Sequence, residues 1–355
     1  MGGKRRGSYI GKHQRGLSRT LCGWYGCQCC IWESSYGTNF WGDASFREKG
    51  GAAHFKRTRK GGVDIKELTL KVAAKVNLYL EVLGRREDGY HEIESVMQSI
   101  SLYDELTLRA RERGIEVFSD HPKVPSGKKN ICYRAAKIFL KEANIFRGVE
   151  IEIHKAIPVE AGLGGGSADA AATMIGISKL FGIEVPFQNL LRWAERVGSD
   201  VPFCLRGGTA LVRGKGEKVF PLPPIKDGYL VLLNPGISLP TRWVYEKLKI
   251  RLTRKGLDVK LLLSSLREGK GNLCNMTPFL YNRLEEVVFK RFPLIFELKE
   301  EMMKAGAKGA LMTGSGSTIF AIVEDEKRGK EVLKKVQEKG RAYLVRPVDK
   351  SLKED

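Results

Sequence analysis

The stretch Pro158-Val-Glu-Ala-Gly-Leu-Gly-Gly-Gly-Ser167 decides how this chain is interpreted, because four glycines fall within residues 162–166. It stands between a predicted strand, Val149–His154, and an apolar, Ala-rich helix predicted over Ser167–Leu180. Glycines let the backbone approach a ligand closely and adopt positive φ angles. A helix start adds unpaired N–H groups and the positive end of the helix dipole. The stretch therefore predicts an anion-binding loop, with Ser167 capping the helix or donating to a phosphate oxygen.

Two other kinds of phosphate loop fit less well. The dinucleotide fingerprint G-x-G-x-x-G begins at Gly162 and Gly164 but has Ser167 in its third glycine position, although Glu184 stands where a ribose-binding acid is expected. The G-x-x-x-x-G-K-[ST] loop fails, because Gly214-Lys215 is followed by glycine. A glycine-rich turn without a ligand is the remaining alternative.

Around this loop, the alternation of apolar and polar residues predicts a mixture of strands and helices. Leu68–Ala74 and Leu78–Leu83 are predicted as two separate strands, the second ended by Gly84. Further strands are predicted at Ser101–Arg109, Ile115–Ser119, Thr209–Val212, Val219–Leu222, Tyr229–Leu233 and Ile319–Val323. Helices are predicted at Asn130–Ala143, Phe187–Val197, Thr241–Lys249, Val259–Arg267, Leu284–Arg291, Pro293–Ala305 and Lys330–Lys339. Strands and helices do not strictly alternate, which favours an α+β fold over a doubly wound sheet.

The chain has 355 residues, enough for about two domains of ordinary size. The turn-rich segment 222–228 is a predicted linker, which divides residues 63–224 from residues 225–355. Residues 1–62 differ from the rest: they hold 13 of the 40 glycines and show no helical or strand period. We interpret them as a disordered extension or as sequence upstream of the true start, with a plastid transit peptide as the alternative.

The formal net charge of +20 is concentrated at the front, where residues 1–62 hold 12 Lys or Arg against 3 Asp or Glu. Such charge permits nucleic-acid binding, but it also suits a polyanionic substrate such as ATP, and no nucleic-acid partner is expected. No apolar run approaches the ~18 residues that a membrane span needs. The clustered cysteines Cys22, Cys27, Cys29 and Cys30 lack the spacing of a zinc site. The lone Cys132, Cys204 and Cys274 favour a reducing, cytoplasmic location.

Three motifs together resemble those of the GHMP kinase superfamily, in the family's order. The loop at 158–167 resembles the second motif, although members often have Gly or Ser where Glu160 and Ala161 stand. Ala73-Ala-Lys75-Val-Asn77-Leu resembles the first motif, with Ala73 in place of the usual proline. Thr313-Gly-Ser-Gly-Ser-Thr-Ile-Phe320 resembles the third, a second glycine turn.

This resemblance implies the two-domain GHMP kinase fold. Its N-terminal kinase domain is of the ribosomal protein S5 domain 2-like type, and an α+β C-terminal substrate domain encloses a cleft with it. ATP with Mg²⁺ is the implied phosphoryl donor, and no protein ligand of the metal is implied. The implied nucleotide-binding residues are Pro158, Gly162, Leu163, Gly164, Gly165, Gly166 and Ser167.

Three further stretches resemble the signature of one subfamily, the kinases of diphosphocytidyl-methylerythritol. They are Arg85–His91, Gly198–Phe203 and Asn234–Thr241, the last followed by Tyr245. The implied substrate is a small molecule carrying a cytidine diphosphate, phosphorylated on its 2-hydroxyl group. A GHMP kinase of homoserine, mevalonate or a sugar is the alternative; the run Asp88-Gly-Tyr-His91 favours a substrate that bears a base.

The resemblance also implies residue roles. Asp200 would be the general base, with Lys75 beside it, whereas a helix cap and a surface lysine are the ordinary interpretations of these two residues. Tyr90 and Tyr245 would stack on the cytosine while His91 reads its polar edge. Asn77, Thr241, Gly314 and Ser315 would complete the substrate site. Both a monomer and a homodimer remain open.

Overall fold

Two long antiparallel strands organise the N-terminal half of the chain. The structure, a computed structural model, describes residues 66–249, 259–268 and 271–354, so the predictions for residues 1–62 lie outside it. Strands β1 (Glu67–Arg85) and β2 (His91–Arg111) pair along nearly their whole length. The prediction of two strands separated near Lys75 is wrong, because the polar residues Lys75 and Asn77 lie buried inside one continuous strand. Shifts of register after Ala73, Asn77 and Val82 let the pairing continue through irregular points.

The rest of the N-terminal half supplies shorter strands and four helices. In chain order they are β3 (Ile115–Ser119), α1 (Ile131–Glu142), β4 (Gly148–His154), α2 (Gly165–Leu180), α3 (Phe187–Val197), α4 (Val201–Arg206), β5 (Thr209–Gly214) and β6 (Lys218–Pro221). Helix α4 was not predicted, although it contains Pro202 in its first turn. A proline there removes no intrahelical hydrogen bond, so Pro202 is compatible with a helix that begins at Val201.

The C-terminal half begins with a buried strand. Its elements are β7 (Tyr229–Asn234), α5 (Thr241–Lys247), α6 (Val259–Arg267), β8 (Tyr281–Asn282), α7 (Glu285–Arg291), α8 (Pro293–Lys304), β9 (Gly309–Met312), β10 (Ile319–Val323), α9 (Glu326–Val336), β11 (Arg341–Val345) and β12 (Leu352–Glu354). Helix α9 starts earlier than predicted, because Asp325 caps it by accepting a hydrogen bond from the N–H of Arg328 at 2.8 Å. Strands β8, β9, β11 and β12 were not predicted.

Two sheets result, and the chain crosses between them more than once. The first has the order β12-β1-β2-β4-β3, with β5 also paired to β2, β6 to β5, and β8 to β1. The second is antiparallel, with the order β11-β7-β10-β9. The α+β prediction is confirmed. The boundary near residue 225 stays a prediction; β8 and β12 lie beyond it in sequence yet pair with β1, and Ile225 of the predicted linker is fully buried.

Two apolar clusters place the glycine loop at the junction of the halves. Helices α1, α2 and α3 cover one face of the first sheet, where Leu106, Ile151 and Phe139 are fully buried. A second cluster joins Leu78 of β1 and Leu163 of the loop to side chains of the second sheet. In the part of the chain that the structure describes, no helix is long and apolar enough to cross a membrane.

Candidate active site

The glycine loop leads from β4 into the first turn of α2. Gly162 and Gly164 adopt φ angles of 78° and 73°, which favour glycine. Gly164 is the N-cap residue and α2 begins at Gly165, so Ser167 lies in the first turn and the prediction that it caps the helix is wrong. The N–H groups of a helix's first turn have no intrahelical partner. With Gly166 exposed and Ser167 half-buried, this helix start remains open to an anion.

The second glycine turn, residues 313–318, joins β9 to β10 and packs against the loop. A Cβ atom on Gly162 would lie 2.2 Å from the carbonyl oxygen of Thr313, so only glycine fits there. The N–H of Thr318 donates to the carbonyl oxygen of Ala161 at 3.3 Å. The two turns therefore meet through residues 161–162.

Lys75 connects β1 to both glycine turns. Its backbone N–H donates to the carbonyl oxygen of Leu163 at 3.0 Å, and its side chain runs along Gly164, where a Cβ atom would lie 3.0 Å from Cε. The ammonium group is buried, donates to Asn77 Oδ1 at 2.7 Å, and lies 3.6 Å from Asp200 Oδ2. A Cβ atom on Gly314 would be 3.3 Å from the same Nζ. The charge of Lys75 is thus held where the two turns and Asp200 meet.

Asp200 precedes α4, in the N-cap position. Within the described residues, however, its carboxylate makes no capping hydrogen bond. It faces the ammonium of Lys75 instead, and about a third of its side chain is exposed. The interpretation of Asp200 as a helix cap therefore does not fit, and its carboxylate can reach both Lys75 and solvent.

Asn77 has its side chain occupied by protein partners. Its Oδ1 accepts from Lys75, its Nδ2 donates to Ser95 Oγ at 2.8 Å, and its backbone N–H donates to Thr313 Oγ1 at 3.0 Å. These contacts orient the ammonium of Lys75. The predicted hydrogen bond from Asn77 to a substrate stays a prediction.

The aromatic side chains predicted to bind the base make contacts within the protein. His91 packs on Tyr245, with ring centroids 5.1 Å apart, whereas the exposed ring of Tyr90 carries the ammonium of Lys215 at 5.3 Å. Burial, followed by the charge of Arg85, lowers the pKa of His91, which favours a neutral imidazole. Burial and then the carboxylate of Asp200 raise the pKa of Tyr245, so Tyr245 lies within electrostatic reach of Asp200. The stacking roles of Tyr90 and Tyr245 stay predictions.

The remaining predicted substrate residues lie on the second glycine turn and α5. Thr241 Oγ1 and Ser315 Oγ are 2.9 Å apart, and Gly314 takes a φ of 56°. Asn282 was missed by sequence reasoning: its side chain donates to carbonyl oxygens on either side of Thr313. An asparagine outside any recognised motif gives no sequence signal of such a role.

A buried charge cluster beneath the loop was also missed. Lys155 Nζ contacts Asp104 and lies 2.7 Å from Asp169 Oδ2, with all three side chains at most 3% exposed. Burial, opposed by Lys155 and reinforced by Asp104, raises the pKa of Asp169 to about 8. A Cβ atom on Gly165 would lie 3.1 Å from Lys155 Nζ, so the ammonium sits directly under the start of α2. We name these three residues the buried triad.

Profiles of known families match both halves of the chain. The GHMP kinases N terminal domain matches residues 130–208, and the GHMP kinases C terminal domain matches residues 259–342. Among solved structures, a 4-(cytidine 5'-diphospho)-2C-methyl-D-erythritol kinase is 35% identical, with a TM-score of 0.67 over 78% of this chain and 98% of that one. A homoserine kinase from Cytophaga hutchinsonii superposes with a TM-score of 0.68 over 82% of this chain and 98% of that one; at 21% identity this likeness shows the fold alone.

Curated relatives match about three quarters of the chain at higher identity. The 4-diphosphocytidyl-2-C-methyl-D-erythritol kinase of Acetivibrio thermocellus is 42% identical over 264 residues, which are 74% of this chain and 93% of the relative. That of Pelotomaculum thermopropionicum is 42% identical over 282 residues, or 78% and 96%. The chain therefore belongs to the GHMP kinase family and, within it, to the 4-diphosphocytidyl-2-C-methyl-D-erythritol kinases.

Proposed function

We propose that this protein transfers the γ-phosphoryl group of ATP to the 2-hydroxyl of 4-diphosphocytidyl-2-C-methyl-D-erythritol, in the non-mevalonate route to isoprenoid precursors. The main support is the Lys75–Asp200 pair, whose Nζ and Oδ2 atoms lie 3.6 Å apart where the two glycine turns meet. One turn opens a helix whose free N–H groups suit phosphates. The names of relatives at about 42% identity support the choice of substrate.

Phosphoryl transfer depends mostly on positioning and charge stabilisation. The hydroxyl oxygen bonds to the γ-phosphorus, the bond from that phosphorus to ADP breaks, and Asp200 takes the hydroxyl proton. An alcohol is a far weaker acid than a carboxylic acid, so full deprotonation of the hydroxyl by a carboxylate before attack would cost about 16 kcal/mol. Asp200 therefore orients the hydroxyl and accepts its proton late, a contribution of about 10²–10⁴-fold.

Lys75 supplies the compensating charge. Its ammonium faces Asp200 and touches the edge of both glycine turns, so it offsets negative charge that develops between the hydroxyl and the phosphate. The Asn77 carboxamide fixes its direction. A buried, oriented cation needs little reorganisation at the moment of transfer.

The nucleotide would bring Mg²⁺ with it. Magnesium in such sites keeps several waters and binds mainly substrate phosphates. In residues 66–249, 259–268 and 271–354, no group of three or more His, Cys, Asp or Glu side chains is arranged to hold a metal. We expect the ion to be held largely by ATP, with the half-buried Ser167 hydroxyl as the candidate protein ligand. When bound, the ion would neutralise part of the negative charge of the phosphates.

Recognition of cytosine would rest on Tyr90, His91 and Tyr245. The exposed ring of Tyr90 offers a stacking face, and base–aromatic stacking is worth ~1–3 kcal/mol in single-stranded recognition. A neutral His91, held against Tyr245, has one donor and one acceptor for the polar edge of the base. Residues 63–224 would carry the nucleotide and residues 225–355 would complete the substrate side. The buried free thiols of Cys132 and Cys204 favour a cytoplasmic location.

A coupled assay of ADP release over a panel of alcohols tests this proposal. We expect turnover with the diphosphocytidyl substrate and at least 100-fold lower kcat/KM with mevalonate, homoserine or galactose. Efficient turnover of one of those three, without activity on the diphosphocytidyl substrate, would contradict the proposal. Product NMR would show phosphorus on the tertiary 2-position.

A further inference from the structure

Asn282 lies on the short strand that joins the two halves of the molecule. Strand β8 runs parallel to β1, with Asn282 opposite Leu80, and the N–H of Arg283 donates to the carbonyl oxygen of Leu80 at 2.8 Å. Asn282 is buried, with only 4% of its surface exposed. Its backbone is therefore fixed by the strand that also carries Lys75.

The carboxamide of Asn282 has all of its hydrogen-bonding groups engaged with the backbone. Nδ2 donates to the carbonyl oxygens of Met312 at 2.7 Å and Gly314 at 2.8 Å. Oδ1 accepts from the N–H of Leu284 at 2.9 Å. Carbonyl oxygens only accept and an N–H only donates, so these partners fix which way the amide points.

These bonds hold the second glycine turn on both sides of Thr313. Gly314 lies against the carbonyl oxygen of Gly162 and the ammonium of Lys75, at 3.0 and 3.3 Å from the position of an added Cβ. The next residue, Ser315, contacts Thr241. Asn282 thus holds, through two carbonyl oxygens, the turn that packs against both the phosphate loop and Lys75.

We propose that Asn282 is a positioning residue for phosphoryl transfer, which holds the second glycine turn in register with Lys75 and the phosphate loop. The expected effect on kcat rests on the proposed function, whereas the expected effect on the structure of the turn does not. Misplacing a catalytic group by about 1 Å can lower the rate by about 10²-fold, even when the altered residue touches no reacting atom.

Paired substitutions at Asn282 and Asn272 separate positioning from space-filling. Asn272 also caps a helical turn, through Oδ1 and the N–H of Cys274 at 2.8 Å, but among the residues that the structure describes its side chain uses only its acceptor. Asp has the shape of Asn without the donors, so Asn272→Asp should leave kcat within twofold of wild type. Asn282→Asp points an oxygen at two carbonyl oxygens and should lower kcat about 10–100-fold, at least as much as Asn282→Ala, with the KM for ATP changed less than threefold. Wild-type kcat in Asn282→Asp, or a loss confined to Asn282→Ala, would overturn the proposal.

Hydrogen exchange supplies a readout that needs no substrate. The backbone amides of residues 312–318 should exchange at least tenfold faster in Asn282→Asp than in wild type, while Asn272→Asp leaves them unchanged. Unchanged exchange in Asn282→Asp would refute the positioning role. If wild-type protein fails to phosphorylate the diphosphocytidyl substrate while the two variants show the expected exchange pattern, the proposed function is refuted and the positioning of the turn still stands.

Discussion

The buried triad of Lys155, Asp104 and Asp169 permits a prediction about stability. Lys155→Met keeps the length and apolar stem of the side chain but removes the ammonium that contacts both Asp104 and Asp169. In this variant Asp104 still accepts hydrogen bonds from the N–H groups of Ala156 and Ile157, at 2.7 and 2.8 Å. These bonds offset part of the cost of its buried negative charge. Removing one partner from a buried ion pair costs about 3–5 kcal/mol, and we expect a loss of that size in the free energy of unfolding.

The pH dependence of stability has a definite sign. The pKa of Asp169 is raised to about 8 in the folded protein, from ~3.9 in an unfolded chain. Between these two pH values the native state therefore keeps a proton on Asp169 that the unfolded chain has released. The stabilisation from this proton is complete below about pH 4 and is lost as the pH rises through about 8. Asp169→Asn removes the titration. Its free energy of unfolding should therefore fall less steeply than that of wild type between pH 5 and pH 8.

Urea unfolding followed by tryptophan fluorescence measures both effects. Lys339→Met is the matched control, because Lys339 pairs with Glu301 at 3.2 Å where both side chains are largely exposed, and its loss should cost at most ~1 kcal/mol. The reasoning fails if Lys155→Met destabilises no more than Lys339→Met. It also fails if Asp169→Asn retains the wild-type slope with pH.

Three further changes address the active site. Asp200→Ala should lower kcat by at least about 10²-fold while calorimetry shows substrate binding within a few-fold of wild type; a variant that fails to bind would contradict the base role. Tyr90→Ala should raise the KM for the diphosphocytidyl substrate about 5–100-fold with a smaller change in kcat, and an unchanged KM would exclude stacking on Tyr90. Gly162→Ala combines a positive φ with a Cβ placed 2.2 Å from the Thr313 oxygen, so thermal unfolding should reveal a loss of about 2–4 kcal/mol. An unaltered midpoint in Gly162→Ala would show that the two turns do not pack as described.

The local chemistry of the sequence determined the α+β class, most of the helices and the phosphate loop. Four glycines before an apolar, Ala-rich run specify a turn with positive φ and a helix start wherever the segment lies, because both depend on neighbouring residues alone. The buried strand Ile319–Val323 and the amphipathic helix Phe187–Val197 were predicted with their observed bounds for the same reason. Resemblance of three motifs added the family, which the relatives confirm.

Tertiary structure decided what these local elements become together. β1 is one strand because Lys75 and Asn77 find partners, the half-buried Asp200 and the buried Ser95, that no local pattern reveals. Lys155 and Asn282 are ordinary residues in sequence, and only long-range pairing puts one beneath the phosphate loop and the other behind the second turn. Charges and hydrogen bonds act over a few ångströms, and the fold alone sets which residues come within that distance.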